Sequence, residues 1–259
     1  MDLGLDGRAA LVLGASRGLG LAIAKSLAHE GVRVAINGRD ADRLQSALAE
    51  VKEVARRPDD CRALPADLGE PDTPADLHAR VQDALGTPDI LVNNGGGPPP
   101  GLIAEVDRAT WETQFSQMTA SLIDLSARVL PAMREKSWGR VLTVVSSGVV
   151  QPIPNLGISN ALRSGLVGWS KSLANEVAGD GVTVNCLAPG RIATARVDRL
   201  DQAAADREGV EIDEIRRRSK ANIPVGRYGD PKEFADIAAF LVSERASYMT
   251  GSVVRADGG

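Results

Sequence analysis

Three glycines stand close together near the start of the sequence, at positions 14, 18 and 20. They follow an apolar run that starts at about Arg8, and apolar residues at helical spacing continue from them to about Glu30. This pattern predicts a strand, a tight turn and a helix, although glycine also marks ordinary turns. A backbone that lets a pyrophosphate approach cannot carry Cβ atoms, and free amides at a helix start attract anionic oxygens. We therefore predict a dinucleotide site formed by Gly14, Ser16, Arg17, Gly18, Leu19 and Gly20.

The end of the second predicted strand, residues 32–37, indicates which dinucleotide would bind. An acidic residue there would accept hydrogen bonds from the adenine-ribose hydroxyls, whereas an arginine accommodates a 2′-phosphate. The sequence has Gly38 and Arg39 at this point, and Arg17 adds positive charge. We therefore expect NADP(H) to be favoured over NAD(H). Alternatively, both arginines are surface residues that pair with Asp40 and Asp42.

The composition limits the kinds of protein that this chain can be. It has 259 residues, 43% of them hydrophobic, and a formal net charge of −4. We expect one domain over residues 1–259, no nucleic-acid partner, no membrane partner and a cytoplasmic location, since there is no basic patch, long apolar run or signal peptide. Cys61 and Cys186 lie in apolar, strand-like runs and are expected to be core thiols, and we predict no metal site.

Polar residues also follow the third and fourth predicted strands, at residues 62–66 and 89–92. Asp67, which precedes Leu68, could accept a hydrogen bond from an adenine amino group or could cap the helix predicted at 72–85. The fourth strand leads into Asn93, Asn94 and three glycines, which permit close approach of a ligand. His78, on the helix at 72–85, is expected to be a surface residue.

The order of these motifs resembles the short-chain dehydrogenase/reductase family, in particular its 3-oxoacyl-carrier-protein reductases. The likeness covers the Gly-x-x-x-Gly-x-Gly turn, Asp-Leu after strand three, Asn-Asn-x-Gly after strand four and Asn-x-x-x-Pro-Gly at 185–190. It implies an α/β fold of the Rossmann type, with a doubly wound, mainly parallel seven-stranded sheet and helices on both faces. It also implies that the cofactor is held by the residues already named and by Asp67, Leu68, Asn93, Gly95, Arg163, Pro189, Gly190, Ile192 and Thr194.

The same resemblance implies four catalytic positions, and this sequence departs from the family at three of them. Ser146 is the usual serine, but Ser159 replaces the tyrosine, Arg163 replaces the lysine and Met118 replaces the asparagine. A serine hydroxyl is a much weaker acid than a phenol, and an arginine does not readily release a proton. We predict that Ser146, Ser159 and Arg163 form the catalytic group, and a proton relay through them and ordered water is one hypothesis. Arg163 could still hold the nicotinamide ribose.

A polar, helical segment at about 193–222 follows the sixth strand, and the resemblance implies that it is a substrate lid. Arg191, Arg196 and Arg199 in or next to it either meet an anionic substrate or are surface residues. The resemblance also implies a homodimer or homotetramer.

These observations lead to two hypotheses for the function. The first is an NADP(H)-dependent oxidoreductase that transfers a hydride to or from a small carbonyl or alcohol substrate and has an atypical active site. The second is a dinucleotide-binding sensor or interaction protein that has lost its redox chemistry. The retention of Ser146 favours an enzyme.

Overall fold

The computed structural model describes residues 1–259 and contains one sheet of seven strands. Their order across the sheet is 3-2-1-4-5-6-7, and every neighbouring pair is parallel. The predicted mainly parallel, seven-stranded sheet is therefore confirmed. The strands are β1 (Ala9–Val12), β2 (Arg33–Gly38), β3 (Arg62–Pro65), β4 (Ile90–Asn93), β5 (Gly139–Val144), β6 (Val182–Pro189) and β7 (Val253–Ala256).

Helices connect the strands and cover both faces of the sheet. A π-helical turn, Ser116–Ala120, joins α4 to α5, so these two helices run on without a loop. No helix combines the length and the hydropathy needed to span a bilayer. The helices are α1 (Gly18–His29), α2 (Ala41–Val54), α3 (Thr73–Leu85), α4 (Arg108–Phe115), α5 (Ser121–Glu135), α6 (Gly157–Val177), α7 (Ala195–Glu208), α8 (Ile212–Ala221) and α9 (Pro231–Leu241).

The core forms two layers, one on each face of the sheet. In β1, Ala10 and Val12 face the layer that contains α1, α2 and α9, whereas Ala9 and Leu11 face α3, α5 and α6. A strand that is covered on both sides has no polar face, which explains the short apolar runs of the sequence. Cys61 and Cys186 lie buried in opposite layers, and burial raises the pKa of both thiols, as expected of core cysteines.

The topology places the candidate residues at one edge of the sheet. In a parallel sheet all strands have their carboxyl ends at the same edge, so the loops after β1, β2, β3, β4, β5 and β6 meet there. The strand order changes direction between β1 and β4, which opens a crevice at that edge. The polar segment predicted at 193–222 forms two helices, α7 and α8, separated at Gly209, where φ is +67°.

Candidate active site

The glycine turn between β1 and α1 is held by Asn94, which directly follows the neighbouring strand β4. The side-chain amide of Asn94 donates to the carbonyls of Leu13 and Gly14 at 3.2 and 3.1 Å. Gly14 and Gly18 have φ of +56° and +59°, a conformation that side chains rarely allow. A Cβ on Gly14 would collide with the Asn94 carbonyl, and one on Gly20 would lie 2.7 Å from the Asn94 amide nitrogen. The turn is therefore too tight for any residue but glycine at these places.

The first turn of α1 offers its backbone amides to a ligand. Arg17 is the N-cap residue, and no side chain caps the helix. Ser16 and Leu19 are half-buried around this turn, while Arg17 is exposed above it. Unsatisfied amides and the helix dipole make such a turn a site for phosphate.

The end of β2 leaves little room for an acidic side chain. A Cβ on Gly38 would lie 3.1 Å from the Cβ of Ser16 and 3.3 Å from Leu44, so these side chains would have to shift to admit a ribose-binding carboxylate. Arg39 follows in an exposed position, with Nη1 3.9 Å from Oδ2 of Asp67. The other carboxylate oxygen of Asp67 accepts a bond from the Gly69 amide at 2.9 Å. Asp67 thus caps a turn and not helix α3, which begins at Thr73.

Positive charge surrounds the glycine turn. Partial burial lowers the pKa of Arg17, and the nearby charges of Arg199, Arg43 and Arg39 lower it further. Arg43 pairs with Asp40 at 3.7 Å and Arg39 with Asp67, but no carboxylate pairs with Arg17 or Arg199. These two cations therefore remain available to an anionic ligand.

Asn93 is the last residue of β4, and its side chain packs into the core. Its side chain is fully buried beneath α5, where its amide donates to the hydroxyl of Ser126 at 3.0 Å. Only its backbone could wall an adenosine pocket, because the side chain turns away from the crevice. Asn94, which the sequence analysis did not select, contacts the glycine turn instead. The sequence signal that could have identified Asn94 is its position as the second asparagine of the Asn-Asn-x-Gly motif.

The three predicted catalytic residues converge where β5 meets α6, but no direct hydrogen bond joins them. The Ser146 hydroxyl, which is half-buried, accepts a bond from the Gly148 amide at 3.1 Å, and its own proton is uncommitted. Ser159 and Arg163 lie one helical turn apart on α6 and are both buried. A relay made by direct bonds between these side chains is therefore absent.

Arg163 is bound by backbone carbonyls. Its Nη1 donates to the Val144 carbonyl at 2.6 Å, and its Nη2 approaches the carbonyls of Gly95 and Gly96 at 3.4 and 3.3 Å. The side chain thus ties helix α6 to the ends of β5 and β4. Burial, together with the charge of Arg196, lowers the pKa of Arg163 to about 10, so the guanidinium remains protonated near neutral pH.

Met118 lies in an apolar cluster next to this centre. It is buried in the π-helical turn and packs with Ile158 and Leu162 of α6. No polar side chain replaces the asparagine of the family pattern. Nearby, a cavity of about 520 Å³ is lined by residues 101–103, by the loop after Ser146 and by the Asn160 side of α6. It lies beside the three catalytic candidates, none of which lines it.

The segment after β6 completes the crevice. Thr194 is the N-cap residue of α7, and its methyl group is 3.8 Å from the position of a Cβ on Gly18, so it stands over the glycine turn. Ile192 is buried, and a bridge to Gly229 fixes its backbone. A Cβ placed on Gly190 would lie 2.6 Å from the Cα of Asp257, which explains why a glycine follows Pro189.

The three arginines around the start of α7 have different partners. Arg191 pairs with Asp201, a fully buried carboxylate that also accepts a bond from the Tyr228 hydroxyl at 2.8 Å. Arg199 is exposed and donates to a carbonyl of its own helix. Arg196 is half-buried and donates to the carbonyls of Gly97 and Pro98. Only Arg191 is thereby excluded as an anion ligand.

The comparisons with known proteins agree with this architecture. A family model described as enoyl-(acyl carrier protein) reductase matches residues 14–259. The 3-oxoacyl-[acyl-carrier-protein] reductase FabG of Vibrio cholerae is 35% identical over 259 residues, which cover 99% of this chain and 98% of that protein. The NADPH-dependent reductase BacG of Bacillus subtilis is 31% identical over 253 residues and 97% of each chain.

A solved structure matches over the same length. It is the L-sorbose reductase of Gluconobacter frateurii, in complex with NADPH and L-sorbose. Its TM-score is 0.92 at 31% identity, with 100% of this chain and 98% of that chain covered. The glycine turn, the sheet order and these full-length similarities together establish that this chain belongs to the short-chain dehydrogenase/reductase family.

Proposed function

We propose that this protein is an NADP(H)-dependent oxidoreductase that transfers a hydride to or from a carbonyl or alcohol group of a small molecule, in the manner of 3-oxoacyl reductases. The observation that carries the proposal is the glycine turn. It is held by Asn94, has no side-chain cap at the start of α1, and lies among arginines of which two, Arg17 and Arg199, have no carboxylate partner. BacG is described as NADPH-dependent, and the sorbose reductase structure contains NADPH. These names support the same cofactor here.

The residues present fit this cofactor. The amides from Ser16 to Gly20 would hold the pyrophosphate, while Arg17 and Arg39 would hold the 2′-phosphate. Asp67 and Leu68 would contact the adenine, and the backbone of Asn93 and Gly95 would wall the adenosine pocket. The segment of Pro189, Gly190, Ile192 and Thr194 would border the nicotinamide end. The bound cofactor supplies or accepts the hydride.

Ser146 is the residue best placed to polarise a substrate carbonyl. Its oxygen accepts the Gly148 amide and its proton has no partner in the structure, so the hydroxyl can donate to a substrate oxygen that binds beside it. A positioned donor of this kind stabilises the charge that develops on a carbonyl oxygen during hydride transfer. Ser159 and Arg163 contribute differently: Ser159 presents a buried hydroxyl, and Arg163 places a fixed positive charge beneath the site.

The helices α7 and α8 would serve as the lid, within a single domain over residues 1–259. They are joined to the sheet edge through Thr194 and the buried Asp201 pair. Association of copies is part of the proposal: β7 is the edge strand of the sheet, and Val253 on it and the nearby Tyr248 are exposed apolar side chains. Sedimentation equilibrium would distinguish a monomer from a dimer or tetramer.

One observation favours the second hypothesis, a dinucleotide-binding protein without turnover. The side chains at the tyrosine, lysine and asparagine positions are buried, and Arg163 is engaged with three carbonyls. None of them is an evident proton donor at neutral pH.

The deciding experiment separates binding from chemistry. NADPH and NADH are titrated by fluorescence, and NADPH oxidation is followed with a panel of ketones, quinones, oxo acids and 3-oxoacyl thioesters. We expect turnover of at least one compound and a loss of about a hundredfold in Ser146→Ala. Ser147→Ala, the matched neighbour, should retain activity. Tight NADPH binding without any turnover would favour the sensor.

A further inference from the structure

Two arginines from different helices, Arg163 of α6 and Arg196 of α7, donate to carbonyls of the loop after β4. Arg163 holds the carbonyls of Gly95 and Gly96 from α6, and Arg196 holds those of Gly97 and Pro98 from α7. The Arg196 distances are 3.3 Å from Nη1 to Gly97 and 3.0 Å from Nη2 to Pro98. A short stretch of neutral backbone thus carries two guanidinium groups at the catalytic end of the crevice.

No acidic side chain balances this charge. Neither Arg163 nor Arg196 takes part in an ion pair, although arginine–carboxylate pairs are frequent elsewhere on α7 and α8. The chain as a whole is acidic, so the cluster does not reflect a general excess of arginine. The burial of Arg196 lowers its pKa, and the charge of Arg199 lowers it further. Cations desolvated in this way gain most from an anion that binds between them.

Accessibility distinguishes the two side chains. Arg163 is buried and committed to Val144, so it can supply charge but cannot turn towards a ligand. Arg196 is half-buried, beside exposed Gly96 and Gly97, and its partners are weaker acceptors than a carboxylate. Arg196 can therefore exchange the carbonyls of Gly97 and Pro98 for an anion without leaving a buried charge unpaired.

We propose that Arg196, supported by the buried charge of Arg163, binds a carboxylate of the substrate, so that oxo acids or hydroxy acids are the substrate class. This inference rests on the proposed function and narrows it. The phosphates of the cofactor have their own proposed ligands, which are the backbone amides of the glycine turn and the side chains of Arg17 and Arg39. Planar, bidentate recognition is what the arginine fork provides for a carboxylate.

The test measures binding without turnover. Protein saturated with NADP+, which cannot reduce a ketone, is titrated by calorimetry with short 2-oxo and 3-oxo acids and with their methyl esters. We expect at least one acid to bind about tenfold more tightly than its ester. Arg196→Gln, which can still donate to Gly97 or Pro98, should lose this preference, and Arg196→Lys should keep part of it. Arg207→Gln, on the exposed side of the same helix, is the matched control.

Two results would overturn the proposal. One is an equal affinity of every acid and its ester in the unmodified protein. The other is an unchanged acid affinity in Arg196→Gln, together with weaker NADPH and NADH binding by fluorescence, which would assign the arginine to a cofactor phosphate. Neither the calorimetric nor the fluorescence titration needs catalysis, so a failure of NADPH oxidation would count against the proposed function alone. Circular dichroism establishes that each variant is folded.

Discussion

Replacing Arg163 by methionine would remove a buried cation and keep most of the side-chain volume. Burial lowers the pKa of this guanidinium well below its ordinary value, to about 10. A fall of somewhat more than two pH units, at ~1.4 kcal/mol per unit, corresponds to about 3 kcal/mol of unfavourable desolvation. The bond to Val144 at 2.6 Å and the two long contacts to Gly95 and Gly96 return a comparable amount, about 2–4 kcal/mol.

Because these terms nearly cancel, Arg163→Met should change the free energy of unfolding by only about 1 kcal/mol. Arg163→Ala removes the same charge and the same hydrogen bonds but also leaves a cavity, so it should lose about 3 kcal/mol. Arg163→Lys keeps the charge but cannot reach β4 and β5 together, so an intermediate loss is expected.

Urea unfolding followed by far-UV circular dichroism would measure these differences, at one protein concentration because an oligomer's stability depends on it. If methionine and alanine were equally destabilising, the hydrogen bonds and not the volume would hold α6 against the sheet, and the balance argued above would be wrong. NADPH affinity, measured alongside, reports whether the loop after β4 has moved.

Four other changes follow from the structure. Arg39→Ala should reduce the preference for NADPH over NADH about fivefold, since an exposed arginine–phosphate contact is worth about 1 kcal/mol; equal weakening of both cofactors by fluorescence titration would contradict this. Gly14→Ala should cost about 2 kcal/mol in urea unfolding because of its positive φ, whereas Gly96→Ala, with open space around it, should be nearly neutral. His78→Gln should make the free energy of unfolding fall less steeply as the pH is lowered. Burial lowers the pKa of His78 in the native protein, so the unfolded chain takes up the proton first as the pH falls through about 6.5, and the native protein loses stability there. Equal slopes of unfolding free energy against pH for both proteins below neutral pH would exclude the histidine. Asp201→Asn should loosen the lid, because it removes the buried negative charge that pairs with Arg191. Limited proteolysis within residues 195–221 should therefore become faster. An unchanged cleavage rate would show that the Arg191–Asp201 pair does not order α7 and α8.

Much of the fold was predictable because the strands are short apolar runs bounded by glycines and polar residues. Both faces of the sheet are covered, so strands such as Ala9–Val12 appear as uninterrupted hydrophobic stretches. The number of strands and their mainly parallel arrangement came from the family resemblance and were confirmed, whereas the strand order was not predicted. The half-burial of His78 was missed: its Nε2 is buried without a partner, and only the packing of α3 against α5 reveals this.

The site was less predictable, since it depends on side-chain directions that a one-dimensional pattern does not contain. Asn93 and Asn94 are adjacent in the chain, yet one points beneath α5 and the other to the glycine turn. Arg163 was expected to face a ribose, but three carbonyls lie within its reach. Asp67 does not cap α3, since it binds the Gly69 amide two residues away, and its contact with adenine stays a prediction. Whether the catalytic and cofactor residues act as proposed remains a prediction for the experiments above.

The position of β1 between β2 and β4 has a consequence for how the chain folds. β2 and β3 can join β1 through short crossovers, but β4 pairs with it across about eighty residues, a closure that is slower and entropically more demanding. Asn94, which fixes the glycine turn, arrives only with β4. A refolding experiment that follows secondary structure and nucleotide affinity together should therefore find a lag between them: helices and the first strands form early, and the ability to capture a dinucleotide appears only when the two halves of the sheet close.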